Sequence, residues 1–200
     1  MLELYAKTFG EITFGVACEG QRVFATNFWK AQQENLSQLQ KELPPNVQFK
    51  IVTEPSAFAE KALTAIRDVY VAKDTAEELP LALDRFPAYT QRVLKTVSKI
   101  PIGCVASYGA VADSAGGGAR AVGNVMANNA FAPLVPCHRV VTSSLGLGGY
   151  GGGLRVKYEF LKREKRGYTE PREVLAEGRV LKVFPVESVL KNLEKRKVAK

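Results

Sequence analysis

Cys137 and His138 stand side by side in the run Pro136-Cys137-His138-Arg139-Val140, and His138 is the only histidine among 200 residues. A free thiol of pKa about 8.5 is only about 3% thiolate at neutral pH, and a neighbouring imidazole is the usual device for ionising it. The pair therefore suggests a nucleophile with its base. Side chains of adjacent residues on an extended strand point to opposite faces, so these two need a tight turn or a bridging water to cooperate. Pro136, with its restricted φ, supports such a turn. A buried cysteine beside a half-buried histidine is the plain structural alternative.

The flanking elements have to position that pair. Ser107 and Tyr108 open a helical pattern through Ala115, and Gly116-Gly117-Gly118 breaks it. A second helical pattern runs from Ala119 to about Asn128, and the whole has the outline of a helix-turn-helix. On the second helix Ala119, Val122, Gly123 and Met126 share one face, with Arg120, Asn124 and Ala127 on the next one round. One arginine thus projects from small residues, which lets a helix lie close to a nucleic-acid groove while the cation enters it. A solvated arginine on an ordinary helix fits the pattern as well. Asn128 and Asn129 begin the connection to Pro133, where either amide can hold a turn.

Downstream, Val140-Val141-Thr142 reads as a strand. The run 146–153 holds a formal GxGxxG at Gly146, Gly148 and Gly151. It lacks the strand, helix and acidic residue of a dinucleotide site, and no GK[ST] follows, so a phosphate loop is not expected. Six glycines around Tyr150 read instead as a flap whose backbone can approach a flat ligand, or simply as a flexible loop. From Leu154 the pattern is helical, with Leu154, Tyr158 and Leu161 on one face. Glu164 falls at the border of that face, either oriented toward an imidazole or solvated.

Taken together these residues resemble the O6-alkylguanine-DNA alkyltransferases, also called methylated-DNA-protein-cysteine methyltransferases. The resemblance rests on Pro-Cys-His-Arg-Val, on Ser-Tyr-Gly at 107–109, on Ala-Arg-Ala-Val-Gly at 119–123, and on Asn129, Tyr150 and Glu164. It covers residues 88–164 strongly and the N-terminal part in layout only. It implies an α+β chain, with a ribonuclease H-like α/β domain followed by a winged helix-turn-helix alkyltransferase domain. It also implies irreversible transfer of an alkyl group from guanine O6 in duplex DNA to Cys137, after the nucleotide is flipped. By the same resemblance His138 takes the thiol proton through a water, Glu164 holds His138 in its tautomer, Tyr108 protonates the departing guanine, and Asn129 braces the turn. Arg120 would fill the gap left by the flipped nucleotide, with Ser107, Ala119, Asn124 and Ala127 facing DNA. Val140, Tyr150, Gly151 and Pro133 would line the pocket. No cofactor and no metal are implied, the partner is double-stranded DNA containing O6-alkylguanine, and a monomer is expected. Two positions depart from the family pattern: Asn129-Ala130 stands where Asn-Pro is usual, and Gly151 where a flap hydroxyl is usual.

The chemistry of such a transfer is consistent with those residues. Attack at an alkyl carbon needs a dehydrated thiolate and a leaving group protonated as it departs. Duplex DNA hides that carbon, so the base must be extruded. The thiol pKa is expected to be depressed, and two units of depression would be worth roughly 2.7 kcal/mol.

The chain is 46% hydrophobic and 24% charged, with room for two small cores. No apolar run reaches transmembrane length and no leader pattern opens the chain, so a cytoplasmic protein is expected, or a nuclear one in a eukaryote. Cys18, Cys104 and Cys137 have no metal spacing, and one histidine cannot complete a Cys/His zinc site. The net charge is +8, and from Arg155 onward fourteen Lys and Arg face seven Glu. That balance suits nucleic acid, or a solubilising surface. The tail from Lys191, with Lys195-Arg196-Lys197, is expected to touch phosphates or stay disordered.

The N-terminal region predicts strands at 2–8, 11–17 and 21–28, a helix at 31–43, a strand at 47–52 and a helix from Ser56 to about Val71. Phe58, Ala62, Ala65, Ile66 and Val69 are expected inward. The predicted boundaries are an α+β domain over 1–78, a linker at 79–87 within the Pro- and acid-containing stretch 73–87, a DNA-binding and transfer domain over 88–166, and a basic extension over 167–200. In that extension 167–177 reads as a connection, 179–184 as a strand and 187–196 as a helix.

Two other functions fit parts of the pattern. A winged-helix lesion sensor or regulator would bind DNA without repair, though no dimerisation element is evident. A Cys-His-Glu hydrolase would need an oxyanion hole, and no residues identify one.

Overall fold

In a computed structural model, residues 1–74 and 78–198 are described, the last three by backbone alone. Residues Thr75, Ala76 and Glu77 of the Pro- and acid-containing stretch, and Ala199 and Lys200 of the expected tail, lie outside the described residues. The chain is mixed α and β, with two four-stranded sheets and seven α-helices among the described residues. It divides into two compact units. No helix among the described residues is long and apolar enough to cross a membrane.

The first unit comprises Met1–Arg85 and Ala130–Leu134. Three strands, β1 (Leu2–Phe9), β2 (Ile12–Glu19) and β3 (Arg22–Trp29), form an antiparallel meander. Glycines at positive φ, Gly10 and Gly20, sit in the two tight connections. Helix α1 (Gln32–Lys41) follows, and β4 (Phe49–Ile51) then adds to β1 in parallel, giving the order β3-β2-β1-β4. This last strand is shorter than predicted, and all three of its residues are exposed. Leu2, Leu4, Ala17, Ala25 and Leu39 form the core on the α1 side.

Helix α2 (Ala57–Tyr70) starts at the predicted cap, where Ser56 accepts a hydrogen bond from the Ala59 amide at 3.2 Å. Its buried face is Ala59, Ala62, Leu63, Ile66 and Val69. Phe58 and Ala65, expected inward, are only half-buried, because the helix is rotated toward the Ala59 and Leu63 side. The stretch expected as a linker is also not free-running. Pro80 and Ala82 exchange backbone hydrogen bonds with Val23 at 2.8 Å, and Arg85 donates to the carbonyls of Glu42 and Phe24.

The second unit comprises Phe86–Asn129 and Val135–Lys200. Helix α3 (Ala88–Ser98) leads into β5 (Cys104–Ser107), which runs directly into α4 (Tyr108–Ala115). Ser107 caps α4 by accepting from the Ala110 amide at 3.0 Å. The glycine triplet then turns the chain into α5 (Ala119–Ala127). At Gly117, φ is +125°, and a Cβ would lie 2.6 Å from the Tyr89 ring, so only glycine closes this turn. Val122, Val125 and Met126 are the buried side of α5. Ala119 shares a periodic face with Val122 and Met126 but is exposed at the helix start, together with Arg120, Asn124 and Ala127.

A single 3₁₀ turn (Cys137–Arg139) and β6 (Val140–Val141) follow, then α6 (Leu154–Arg163). The region expected as a connection and an extension is instead part of the unit's sheet. Strand β7 (Arg172–Ala176) and strand β8 (Arg179–Pro185) form a hairpin, and α7 (Val186–Val198) closes the chain. The expected connection at 167–177 therefore contains β7. Strand β8 pairs antiparallel with β5, giving the order β6-β5-β8-β7. Val186, Val189 and Leu190 of α7 share one core with Val105, Val141 and Leu161. Each such apolar side chain removed from water contributes about 1.5–3 kcal/mol.

Candidate active site

The thiol and the imidazole occupy consecutive positions of the 3₁₀ turn. Pro136 helps form it: its carbonyl accepts from the Arg139 amide at 2.8 Å, and the Cys137 amide donates to Val135 O at 2.8 Å. The backbone at the pair is thus a tight turn and not an extended strand, as the cysteine-histidine pair requires. His138 is wholly buried and Cys137 is buried.

Two contacts fix the imidazole. Its ring stacks on Phe160 with centroids 4.4 Å apart, and its Nε2 lies 2.9 Å from Glu164 Oε1. Arg139 holds the same carboxylate: Nε lies 3.1 and 3.0 Å from its two oxygens and Nη2 lies 2.8 Å from Oε1. A further Arg139 nitrogen, Nη1, donates to Ile100 O at 2.7 Å. Burial works to raise the Glu164 pKa, but the His138 and Arg139 charges and hydrogen bonds outweigh it and bring it to about 2. An ionised carboxylate can only accept, so His138 carries its hydrogen on Nε2 and leaves Nδ1 as the basic nitrogen. Nδ1 is buried and has no hydrogen-bond partner in the protein. Burial also lowers the His138 pKa, against the opposing pull of Glu164, so the ring rests neutral.

The thiol does not rest depressed, contrary to the sequence expectation. Burial pushes Cys137 up, and this outweighs the hydrogen bond from Asn129, the charge of Lys157 and the backbone amides of the turn, all of which favour thiolate. The desolvation that a nucleophile needs is also what keeps it protonated at rest. Asn129 donates to Val135 O at 2.8 Å, so one side chain ties the two ends of the entry to the turn.

Lys157 was not foreseen as part of the site. It is wholly buried, donates to Val140 O at 2.5 Å and to Gly149 O at 3.1 Å, and lies 5.9 Å over the Tyr108 ring. Burial lowers its pKa to about 8, partly offset by the Cys137 charge. The inward side of α6 is Lys157, Phe160 and Leu161, with Glu164 at its C-cap, whereas Leu154 is exposed. Positions 157, 160, 161 and 164 follow the 3.6-residue period, so a lysine in phase with Phe160 and Glu164 was the available signal.

The other predicted residues are placed as follows. Tyr108 is half-buried, its hydroxyl donates to Gly149 O at 3.4 Å, and burial with the Cys137 charge raises its pKa. Tyr150 packs edge-on to Phe160 at 6.4 Å, Val140 is fully buried, and Gly151 is exposed. Arg120, Ala119, Asn124 and Ala127 form the exposed side of α5, while the Ser107 hydroxyl is used as the α4 cap. Pro133, buried and preceded by a cis peptide bond, groups with the first unit.

Residues 88–166 match the family model for the DNA-binding domain of 6-O-methylguanine DNA methyltransferase. A protein of Mycobacterium tuberculosis named methylated-DNA–protein-cysteine methyltransferase is 40% identical over 114 residues, covering 56% of this chain and 68% of that one. Its namesake in Mycobacterium leprae is 44% identical over 117 residues with the same coverage. The crystal structure of Mycobacterium tuberculosis O6-methylguanine methyltransferase superposes with a TM-score of 0.64 at 30% identity, over 82% of this chain and 93% of that one. A second, of the Mycobacterium tuberculosis protein in complex with DNA, gives 0.65 at 28% identity, over 82% and 92%. The chain belongs to the methylated-DNA–protein-cysteine methyltransferase family.

Proposed function

We propose that this protein repairs DNA by direct reversal, moving an alkyl group from O6 of guanine in duplex DNA onto Cys137, once per molecule. The observation that carries this reading is the buried relay Glu164–His138, with the imidazole's basic nitrogen left without a protein partner, one residue from a buried free thiol. In the reaction the Cys137 proton passes through a water to His138 Nδ1, helped by the positive charge of Lys157. The sulfur then bonds to the alkyl carbon as the carbon–O6 bond breaks. The guanine takes a proton from Tyr108, and the imidazolium returns one to the tyrosine through solvent. The product thioether has no leaving group of comparable reactivity, so the protein is consumed.

The same reading assigns 1–78 to a ribonuclease H-like domain and 88–166 to a winged helix-turn-helix domain. In the latter, the exposed side of α5 faces DNA, and Arg120 occupies the space of the flipped nucleotide. Val140, Tyr150 and Gly151 border the base pocket, and Asn129 braces the turn. The protein acts as a monomer in the cytoplasm, or in the nucleus of a eukaryote, and uses no cofactor. A sensor that binds lesions without transfer is the less favoured reading, because it gives the relay no task.

Incubation with duplex DNA carrying a labelled O6-methyl group tests this. One label per protein, located on Cys137 by peptide mapping, is the expected result. Multiple turnovers, or binding with no transfer by the folded protein, would overturn it.

A further inference from the structure

The family model ends at residue 166, yet the chain continues into β7, β8 and α7, and these elements are built into the unit that carries Cys137. Besides sharing a core, α7 makes a specific polar contact with the loop after β6. Asn192 Nδ2 donates to Ser144 O at 2.7 Å and to Leu145 O at 3.2 Å. That loop is a closed turn: Thr142 N donates to Gly146 O at 3.0 Å, Leu145 N to Thr142 O at 2.9 Å, and Gly146 N to Thr142 Oγ1 at 2.8 Å. Leu145 sits at φ +55°, a left-handed conformation that a leucine adopts only when its surroundings hold it there.

The glycine loop begins where this turn ends. A Cβ on Gly148 would lie 2.9 Å from the Tyr108 ring, so the tyrosine packs directly on that backbone. Gly149 O accepts both the Tyr108 hydroxyl and Lys157 Nζ. Fixing residues 144 and 145 therefore fixes the carbonyl on which a proton donor and the cation that favours the thiolate both depend. We propose that α7 is a brace for the transfer site and that Asn192 is its positioning residue, setting the glycine loop against Tyr108 and Lys157. The catalytic consequence rests on the transfer reaction proposed above, whereas the bracing itself does not.

Replacing Asn192 by Asp keeps the shape but removes the donor and sets a carboxylate against two carbonyl oxygens. The probe is free O6-benzylguanine, with transfer followed by intact mass over a range of concentrations, and amide hydrogen exchange read over residues 146–149. We expect the half-saturating concentration to rise about tenfold for Asn192→Asp and about fivefold for Asn192→Ala, as losing hydrogen bonds of ordinary strength requires. Faster exchange at 146–149 should accompany it. Lys191→Ala, an exposed change on the same helix, should leave both readouts at wild-type values. A merely structural role would lower the melting temperature while leaving half-saturation and exchange unchanged, and that result overturns the proposal. So does an equal effect of Lys191→Ala. Should Asn192→Asp not fold, Asn192→Ala decides by the same criteria. If the wild-type protein transfers no benzyl group, duplex DNA carrying labelled O6-methylguanine becomes the probe; no transfer from that either would sink the reaction assigned above, and the exchange comparison still decides the brace.

Discussion

The two units treat buried polar groups in opposite ways. In the first the fully buried polar side chains are neutral: Asn35 donates to Thr13 O at 3.0 Å, and the half-buried Asn27 donates to Asn35 O at 2.9 Å, tying α1 to β2 and β3. In the second, Arg139, Glu164 and Lys157 are charged and buried around His138. Neutral amides bonded to backbone are an inexpensive way to fix a fold, whereas buried charge carries a large desolvation cost and is tolerated where it is paired. The cysteines repeat the contrast. Burial and the Glu3 charge push Cys18 up to about 11, against a hydrogen bond from Ser56, and give an inert thiol. Cys137 is raised by burial too, but it has Asn129 and Lys157 beside it to favour the ionised form. What separates a reactive cysteine from a packing cysteine in this chain is its polar company, not its exposure.

The largest effect should come from exchanging the two thiols. Cys137→Ser should abolish alkyl transfer, while Cys18→Ser should leave the rate within about twofold, since a packing thiol contributes nothing to chemistry. Intact mass after exposure to O6-benzylguanine reads both, and transfer surviving in Cys137→Ser would erase the distinction.

Next is Glu164→Gln, which leaves Arg139 without its buried counter-charge and should cost about 3–5 kcal/mol in urea unfolding. The acid response sharpens this. Glu164 is depressed to about 2 from an ordinary value of 4.5, so the stability it contributes is full above pH 4.5 and is lost as the pH falls toward 2. That acid limb should flatten in Glu164→Gln. The Asn27 and Asn35 amides do not titrate, and unaltered acid sensitivity in the variant would assign the limb elsewhere.

Gly15→Ala probes the neutral region. A Cβ there would lie 2.1 Å from Asn35 Oδ1 and 2.7 Å from both Asn27 Oδ1 and Leu39 Cδ1. Its neighbours are already tied by hydrogen bonds, so we expect about 1–3 kcal/mol of destabilisation. Trp29, the only tryptophan, lies in the same unit and gives the fluorescence readout. Transfer by the folded fraction should be unchanged, and a slowed reaction there would break the separation of scaffold from chemistry. The smallest effect on stability, within about 0.5 kcal/mol, is expected for Arg120→Ala, which is exposed. It should slow transfer from duplex DNA while sparing the free base, and equal rates on both substrates would remove its role in flipping.

Much of the second unit was legible because its signals are local. The glycine triplet fixed the ends of α4 and α5, and Pro-Cys-His-Arg-Val marked the turn. Lys157 escaped because the face of α6 is read from the apolar stripe Leu154, Tyr158 and Leu161, which starts on an exposed residue, and not from the phase of Phe160 and Glu164. Residues 172–176 were hidden for a different reason. Their sequence, Arg-Glu-Val-Leu-Ala, has little β character, and only pairing with β8 makes it a strand. In α2, single-residue rotation was beyond a pattern in which Phe58, Ala59, Ala62, Leu63 and Ala65 are all compatible with burial.

The pairing of Cys104 and Val105 with Pro185 and Phe184 has a consequence for biosynthesis. A segment synthesised well after β5 and Cys137 supplies an inner strand of the sheet that presents the reactive thiol. A nascent chain thus cannot finish this half until Pro185 has been made, and such distant closures are slow. Prematurely terminated products would be released with an open sheet edge beside Cys104, substrates for quality control before they could ever meet damaged DNA.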